Sequence, residues 1–434
     1  MEDLIDYINR HVWVVIVFFL ALFLITYGIT RLLPIDRTKQ DITQEVQNND
    51  TQNNEKDNQN GEPTKEEEPE VTPEPTAEPT PAPEEKGVIY QETASTEQIV
   101  LRFAGDVNLA DNYAPMEHAS QVQGGVQACF GKKLLRLMQS ADVMMVNHEY
   151  SCSDEGTPMA GKQYTFLAKE KNNKQLTKLG VDIVSLANNH VYDYGEEAFL
   201  NTLKSLDKYK IQRVGAGKNL AEAKKPVYYF MNGVKIAVVA ATRAEKNVMT
   251  PQADKNSSGV FYTYDDEEFL KAIAKAKKKA DYVIAYVHWG TEYSTSLESE
   301  QTQQAHDYID SGADLVVGGH THCLQGVEYY KGKPVIYSLG NFWFNDKTLD
   351  TGILEVQIDT SDRKEVEIKA DGSKEHYDGV KNKDVKVTFY PCIQSGCRTI
   401  LAPDEDENAR ILADLNNISI NARFNKKGVL QKIR

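Results

Sequence analysis

Cysteine is scarce in this 434-residue chain, with five in all (Cys129, Cys152, Cys323, Cys392 and Cys397), and no two of them form a C-x-x-C pair. That excludes a disulfide-built scaffold, a zinc ribbon and thioredoxin-type redox chemistry. Cys392 and Cys397 leave two readings open, a small disulfide-closed loop or two reduced structural thiols. A basic excess is missing as well, since the formal net charge is −15. Without a positive face to neutralise phosphates, nucleic acid is excluded as a partner. No internal repeat is present.

What is there is uneven. The stretch from Asp41 to Lys86 carries 14 carboxylates against three lysines and leaves the rest of the chain close to balance. From Val12 to Ile29 the sequence runs VWVVIVFFLALFLITYGI, uncharged and long enough to cross a hydrocarbon core of about 30 Å as a helix. Residues 1–11 form an acidic tail before it, and no A-x-A-like site follows it, which favours an uncleaved single-pass membrane anchor over a signal peptide. Residues 30–95 read as an extended, disordered stalk rich in Pro, Glu and Thr, ending in PEPTAEPTPAPEE. The globular domain is expected over 96–434.

Such a stalk suits a large extracellular domain spaced from the cell membrane. Positive-inside counting argues the other way, because Arg31, Arg37 and Lys39 follow the apolar run while only Arg10 precedes it. We read the outside placement.

Past the stalk, apolar runs of strand length alternate with helical patterns, so the fold class is α/β. The strands include IVLRFAG, VMMVN, DIVSLA, YVIAYVH and DLVVGG, and VKVTFYP reads as the last. VYYFMNGVKIAVVAAT reads as a hairpin turning on Asn232-Gly233. Helices are expected near Val126–Gln139, Asn172–Lys178, Glu196–Lys208, Asp265–Ala280, Glu298–Ser311 and Asp406–Leu415. The lysines of AKAKKKA lie on one of these helices and read as an ordinary solvated face.

Five of the strands end in a polar cluster: Gly105-Asp106, Asn147-His148-Glu149, Asn188-Asn189-His190, His288-Trp289-Gly290 and Gly319-His320-Thr321-His322. In open α/β sheets ligands collect at the carboxyl ends of strands, so these clusters can converge on one crevice. Together they offer carboxylate, amide and imidazole donors, a mixture suited to Mn, Fe or Zn rather than to an all-oxygen calcium loop. His320 and His322 would present both rings to one side if their stretch is extended. His148 neighbours Glu149, and strand alternation should turn it to the opposite face.

With these motifs the chain resembles the CapA-type bacterial capsule synthesis (poly-γ-glutamate synthesis accessory) family of the calcineurin-like metallophosphoesterase superfamily. The likeness rests on FAGDVNLA, NHEYSCSDEGTP, YTFLA, SLANNHVYDYG, VHWGTEY, GADLVVGGHTHCLQGVEYYKGKPVIYSLGNFWF and a closing FYPC, and spans Gln98 to Asn417. It implies a four-layer αββα sandwich with a two-metal site at one edge. Asp106, Glu149, Asn189, His288, His320 and His322 then resemble the metal ligands, and His190 the acid that protonates a leaving group. Asn108, Asn188, Asp193, Trp289, Glu292 and Asn341 stand where side chains support ligands or touch substrate. The chain departs from the superfamily in having Asp106-Val107-Asn108 in place of Asp-x-His, and in lacking Gly-Asp-x-x-Asp around Glu149.

Three functions are expected on these grounds. One is a metal-dependent phosphoesterase acting on a surface polymer or its precursor. The second is a non-catalytic accessory subunit of a membrane-bound polymer synthase or exporter, and the third a γ-glutamyl amide hydrolase. The acidic stalk would repel a polyanionic polymer at low salt, within a screening length of roughly 8 to 10 Å.

Overall fold

Strands buried on both faces read as continuous apolar runs, and parity along the run decides which layer each side chain enters. In VMMVN, Val143 and Met145 enter one buried cluster while Met144 and Val146 enter another. YVIAYVH sorts the same way: Tyr282, Ile284 and Tyr286 point one way, and Val283, Ala285 and Val287 the other. The computed structural model describes residues 85–244, 249–362 and 379–433.

These residues build two large sheets. One has seven strands in the order Val88–Tyr90, Val227–Met231, Val234–Thr242, Tyr282–His288, Leu315–Gly319, Lys333–Leu339, Leu324–Tyr330. The other runs Arg398–Leu401, Val385–Ser395, Leu349–Asp359, Gln98–Val107, Val143–His148, Ile183–Ser185, Gln212–Val214, with Asn341–Trp343 as an eighth strand beside Gln98–Val107. The sheets pack face to face through Ile99, Leu101 and Phe103 on one and Val238, Ile284 and Val317 on the other.

Helices cover the outer faces. Glu267–Lys277 buries Phe269, Ala272, Ile273 and Ala276, the i, i+3, i+4, i+7 stripe of an amphipathic helix, against the seven-stranded sheet. Burying a side chain such as Phe269 contributes about 2 kcal/mol. On the far side Phe199, Leu203 and Leu206 of the Gly195–Lys208 helix pack on the eight-stranded sheet. The layers therefore run helix, sheet, sheet, helix.

The Asn232-Gly233 hairpin forms as expected, with Val234 opposite Met231 and φ of 44° and 75° at the two turn residues. Other expectations change. The single helix over Val126–Gln139 is two, a 3₁₀ turn at Gly125–Cys129 and an α-helix at Lys132–Gln139. Phe130 bridges to Thr399 and the Gly131 N–H donates to the Thr399 carbonyl at 2.9 Å, so pairing with a distant strand interrupts the helix. VKVTFYP is not the last strand: Arg398–Leu401 pairs beside it, and Ala422–Phe424 forms a hairpin with Leu430–Lys432. Val88–Tyr90, inside the stretch assigned by composition to the stalk, pairs parallel to Val227–Met231.

All five cysteines are free, and the Cys392–Cys397 loop is not closed by a disulfide. The apolar run Val12–Ile29 and most of the stalk lie outside the described residues. Among the described residues no helix is long and apolar enough to cross a membrane.

One crossing between the sheets is a single residue long. Lys333–Leu339 belongs to the seven-stranded sheet and Asn341–Trp343 to the eight-stranded one, so Gly340 alone carries the chain from the first to the second. Its φ is 64°, and a side chain there would meet the Cys323 backbone at 2.8 Å.

Candidate metal centre

Parallel pairing aligns the carboxyl ends of the strands. Asp106 pairs with Asn147 and Asn147 with Ser185 in one sheet, while His288 pairs with Gly319 in the other. Each strand thus delivers its polar ending to the same edge, where the two sheets meet. Asp106, Asn147, Glu149, Asn188, Asn189, His190, His288, His320 and His322 are all buried there.

The carboxylates sit at the centre. Asn147 Nδ2 donates to Asp106 Oδ1 at 2.8 Å and to Glu149 Oε2 at 3.0 Å, and lies 3.2 Å from His288 Nδ1. His288 Nε2 lies 2.9 Å from Asn189 Oδ1, 3.2 Å from His320 Nδ1 and 3.6 Å from Glu149 Oε1. Donor atoms of Glu149, Asn189, His288 and His320 therefore converge on one point.

The histidine turn is not extended. His320 and His322 have φ of 90° and 56°, so both rings reach the site from a left-handed turn, with centroids 6.2 Å apart. The His320 N–H donates to Asp106 Oδ2 at 3.3 Å. Gly319 permits this approach, because a Cβ there would come within 2.9 Å of Asp106 Oδ1. His322 donates from Nδ1 to Asn341 Oδ1 at 2.7 Å, which fixes its tautomer, and Nδ1 lies 3.7 Å from Asp106 Oδ2.

Electrostatics split the two carboxyls. Burial works to raise Asp106, but the imidazoles of His322 and His288 beside it outweigh burial and hold the group below its usual value. Burial, then the charges of Asp106 and Glu292, push Glu149 well above the usual carboxylate range. Burial likewise drives His288 down to about 3, despite Asp106, and His320 well below its ordinary value, with neighbouring His288 adding to the effect. Neutral imidazoles are the form that ligates metal.

Whether these residues fit a divalent cation can be read from their unsatisfied atoms. Glu149 Oε1 is buried without a hydrogen-bond donor, an arrangement that costs several kcal/mol unless a cation completes it. Among the described residues two sets of ligand atoms each lie within 4.8 Å of one another, Glu149 with His288 and His320, and Asp106 with Glu149 and His322. Glu149 belongs to both. The donor set fits two adjacent cations sharing one carboxylate, with Asn189 beside the first set.

His190 stands next to the ligands. Its Nδ1 donates to Asp193 Oδ2 at 2.8 Å, the Asp193 Oδ1 pairs with Lys162 Nζ at 2.8 Å, and Phe166 packs on the ring at 4.6 Å. Lys162 also donates to the Asn189 carbonyl. Asn188 shapes the turn, its Oδ1 accepting from the N–H groups of His190 and Val191 at 3.0 Å each.

One candidate residue falls elsewhere. Trp289 points away from the site, donating from Nε1 to the Tyr337 carbonyl at 2.9 Å within the helix-covered core, because it alternates with His288. Asn108 accepts the Ala110 N–H at 2.8 Å, and its Nδ2 is buried without a hydrogen-bond partner among the described residues. Glu292 is exposed at the mouth of a cleft of about 520 Å³ that reaches His320 and Asn189 and is also lined by Arg243, Glu298 and Glu300. His148 turns away as strand alternation requires, with Nε2 2.9 Å from Asn173 Oδ1. Asn147 was not among the candidates, although the same alternation places it on the Glu149 side. Nothing in the sequence around Lys162 marks it.

Residues 100–346 match the family model described as bacterial capsule synthesis protein PGA_cap. The "PGA biosynthesis protein CapA" of Bacillus subtilis (strain 168) is 32% identical over 272 residues, covering 62% of this chain and 70% of that protein. The "Capsule biosynthesis protein CapA" of Bacillus anthracis is 36% identical over 206 residues, 46% of this chain and about half (49%) of its relative. Among solved structures, the calcineurin-like phosphoesterase YfkN from Bacillus subtilis aligns over 69% of this chain and 91% of its own, with 17% identity and a TM-score of 0.38. That structural likeness is too slight to bear on function.

Proposed function

The chain belongs to the bacterial capsule synthesis protein family PGA_cap, and from that premise we propose that it is an accessory protein of surface-polymer synthesis whose domain hydrolyses phosphoesters with divalent metal. The observation that carries the hydrolytic part is Glu149, buried, lacking a donor at Oε1 and common to both ligand sets. Glu149, His288, His320 and Asn189 would hold one cation, and Asp106, Glu149 and His322 the other. When bound, such a pair polarises a phosphoryl oxygen and lowers the pKa of water at the site.

The chain's own residues do the rest. Asn147 holds the two carboxylates in register with each other, and Asn341 fixes the His322 ring. Asp193 accepts the His190 Nδ1–H and fixes the ring, so that a proton carried on Nε2 can pass to the departing oxygen. Lys162 anchors Asp193 so that the ring cannot swing away. The substrate is a surface polymer or its precursor, a membrane-bound synthase or exporter is the partner, and Val12–Ile29 anchors the chain with its domain outside the cell.

Metal analysis and phosphodiester turnover on the full-length chain, beside His190→Ala and His320→Ala, test this. Two tightly held metals with cleavage lost in both variants support it. Metal retained without any cleavage favours the non-catalytic accessory subunit, a reading helped by Asn108 standing in place of the histidine of Asp-x-His. Release of glutamate from γ-glutamyl chains would replace phosphoester with amide hydrolysis. Protease shaving of intact cells tests the outside placement.

A further inference from the structure

Lysines near the site are paired: Lys162 with Asp193, and on the outer layer Lys277 and Lys333 with Asp314. Lys347 is different. It is exposed and makes no ion pair with a described carboxylate, although Asp346 precedes it in the chain. Its ammonium lies instead 4.0 Å from the centroid of the Tyr293 ring, and that ring lies 5.5 Å from His322. Tyr293 thus acts as a spacer between a cation and a metal-ligand histidine.

Both ends of this spacer are held in place. Tyr293 has φ of 57°, a conformation a bulky aromatic residue adopts only at a cost, and its N–H donates to the Thr321 carbonyl at 2.7 Å, inside the histidine turn. Glycine would adopt that φ freely. The Lys347 backbone is fixed by Asn345 Oδ1, which accepts its N–H at 3.1 Å, and by Gln394 Nε2, which donates to its carbonyl at 3.1 Å. The cleft on the side of His320 is lined instead by Glu292, Glu298 and Glu300 around Arg243, itself 3.0 Å from Glu298. An anion crossing the site is repelled there and attracted at Lys347.

We propose that Lys347, poised on Tyr293, is a binding subsite for a second anionic group of the substrate, one adjoining the phosphoester held at the metal centre. The substrate is then a chain or headgroup with neighbouring negative charges, the second being a phosphate or a carboxylate. This rests on the phosphoesterase reading, and the test separates the two.

Calorimetric titration of the full-length chain loaded with Mn(II) uses three probes that cannot be hydrolysed: methylphosphonate, methylenediphosphonate and phosphonoacetate. A second anion should tighten binding about ten-fold over methylphosphonate, the worth of one charge-assisted contact. Lys347→Met should lose most of that gain and leave methylphosphonate unchanged, while Lys347→Arg keeps it. Which probe gains more, diphosphonate or phosphonoacetate, identifies the second anion. Tyr293→Gly should raise the melting temperature yet reduce the gain, an outcome that a merely structural tyrosine would not give. Equal gain in wild type and Lys347→Met, or no gain at all with methylphosphonate still bound, overturns the subsite alone. Failure to bind methylphosphonate overturns the metal-centre reading, and the subsite with it.

Discussion

Asp106 and Glu149, the two carboxylates at the meeting edge of the sheets, share a single side-chain amide: Asn147 Nδ2 donates to both, at 2.8 and 3.0 Å. Two buried carboxyls so close cannot both stay ionised cheaply without positive charge, and Glu149 is the one pushed upward. The metal-free and metal-loaded proteins should therefore respond with opposite sign. Glu149→Gln should stabilise the chelated protein by about 1 kcal/mol or more while abolishing metal uptake at both positions. Asn147→Ala should weaken metal binding about 10- to 100-fold with every ligand still present. Thermal melts with and without chelator, and metal titration, check both.

Asp182 sets a pH dependence away from the candidate metal centre. Burial raises its carboxyl from 3.8 to about 6, against the lowering effect of the Met144 N–H that it accepts at 2.8 Å, with Asp142 adding to the rise. The folded state holds this proton more tightly than the unfolded. Its contribution is therefore fully present below about pH 4 and is lost as pH rises through about 6. Asp182→Asn should add about 1 to 3 kcal/mol at pH 7.5 and little at pH 4. Denaturant unfolding at the two pH values measures this.

A third expectation concerns Gly105. A Cβ there would lie 1.8 Å from the Gly340 carbonyl oxygen, which accepts the Asp106 N–H at 3.0 Å. Gly105→Ala should cost about 3 kcal/mol and displace Asp106, lowering melting temperature and metal affinity together.

Arg102 and Glu355 form a buried ion pair at 2.7 Å, with Tyr390 donating to the other Glu355 oxygen at 3.1 Å. Glu355→Gln should cost about 3 to 5 kcal/mol by leaving the arginine buried and unpaired. Replacing both, as Arg102→Met with Glu355→Leu, should recover most of that loss. A double-mutant cycle in urea reads the difference.

Much of the fold and of the candidate metal centre was legible in the sequence because the polar clusters are written where apolar runs stop. Asp106, Glu149, Asn189, His288 and the two histidines of the turn each come after such a run, and the structure gathers them. Parity could also have recovered Asn147 and turned Trp289 away, since each has an immediate neighbour whose direction was already assigned. Backbone handedness was not legible: the run Gly319 to His322 does not by itself show that His320 and His322 take positive φ. Short strands such as Val88–Tyr90 carry too few residues to show a period, and the break before Lys132 depends on Thr399, far along the chain. Local pattern cannot report a distant partner.

The one-residue crossing at Gly340 restricts how the molecule can move. Lys333–Leu339 and Asn341–Trp343 are laced into different sheets on either side of it, and Asn341 grips His322 while its strand pairs with Asp106. Sliding one sheet over the other would therefore shear this link and pull the ligands apart together. At this edge the sandwich has no free seam. Whatever binds in the cleft beside His320 and Asn189 therefore meets a floor that stays put.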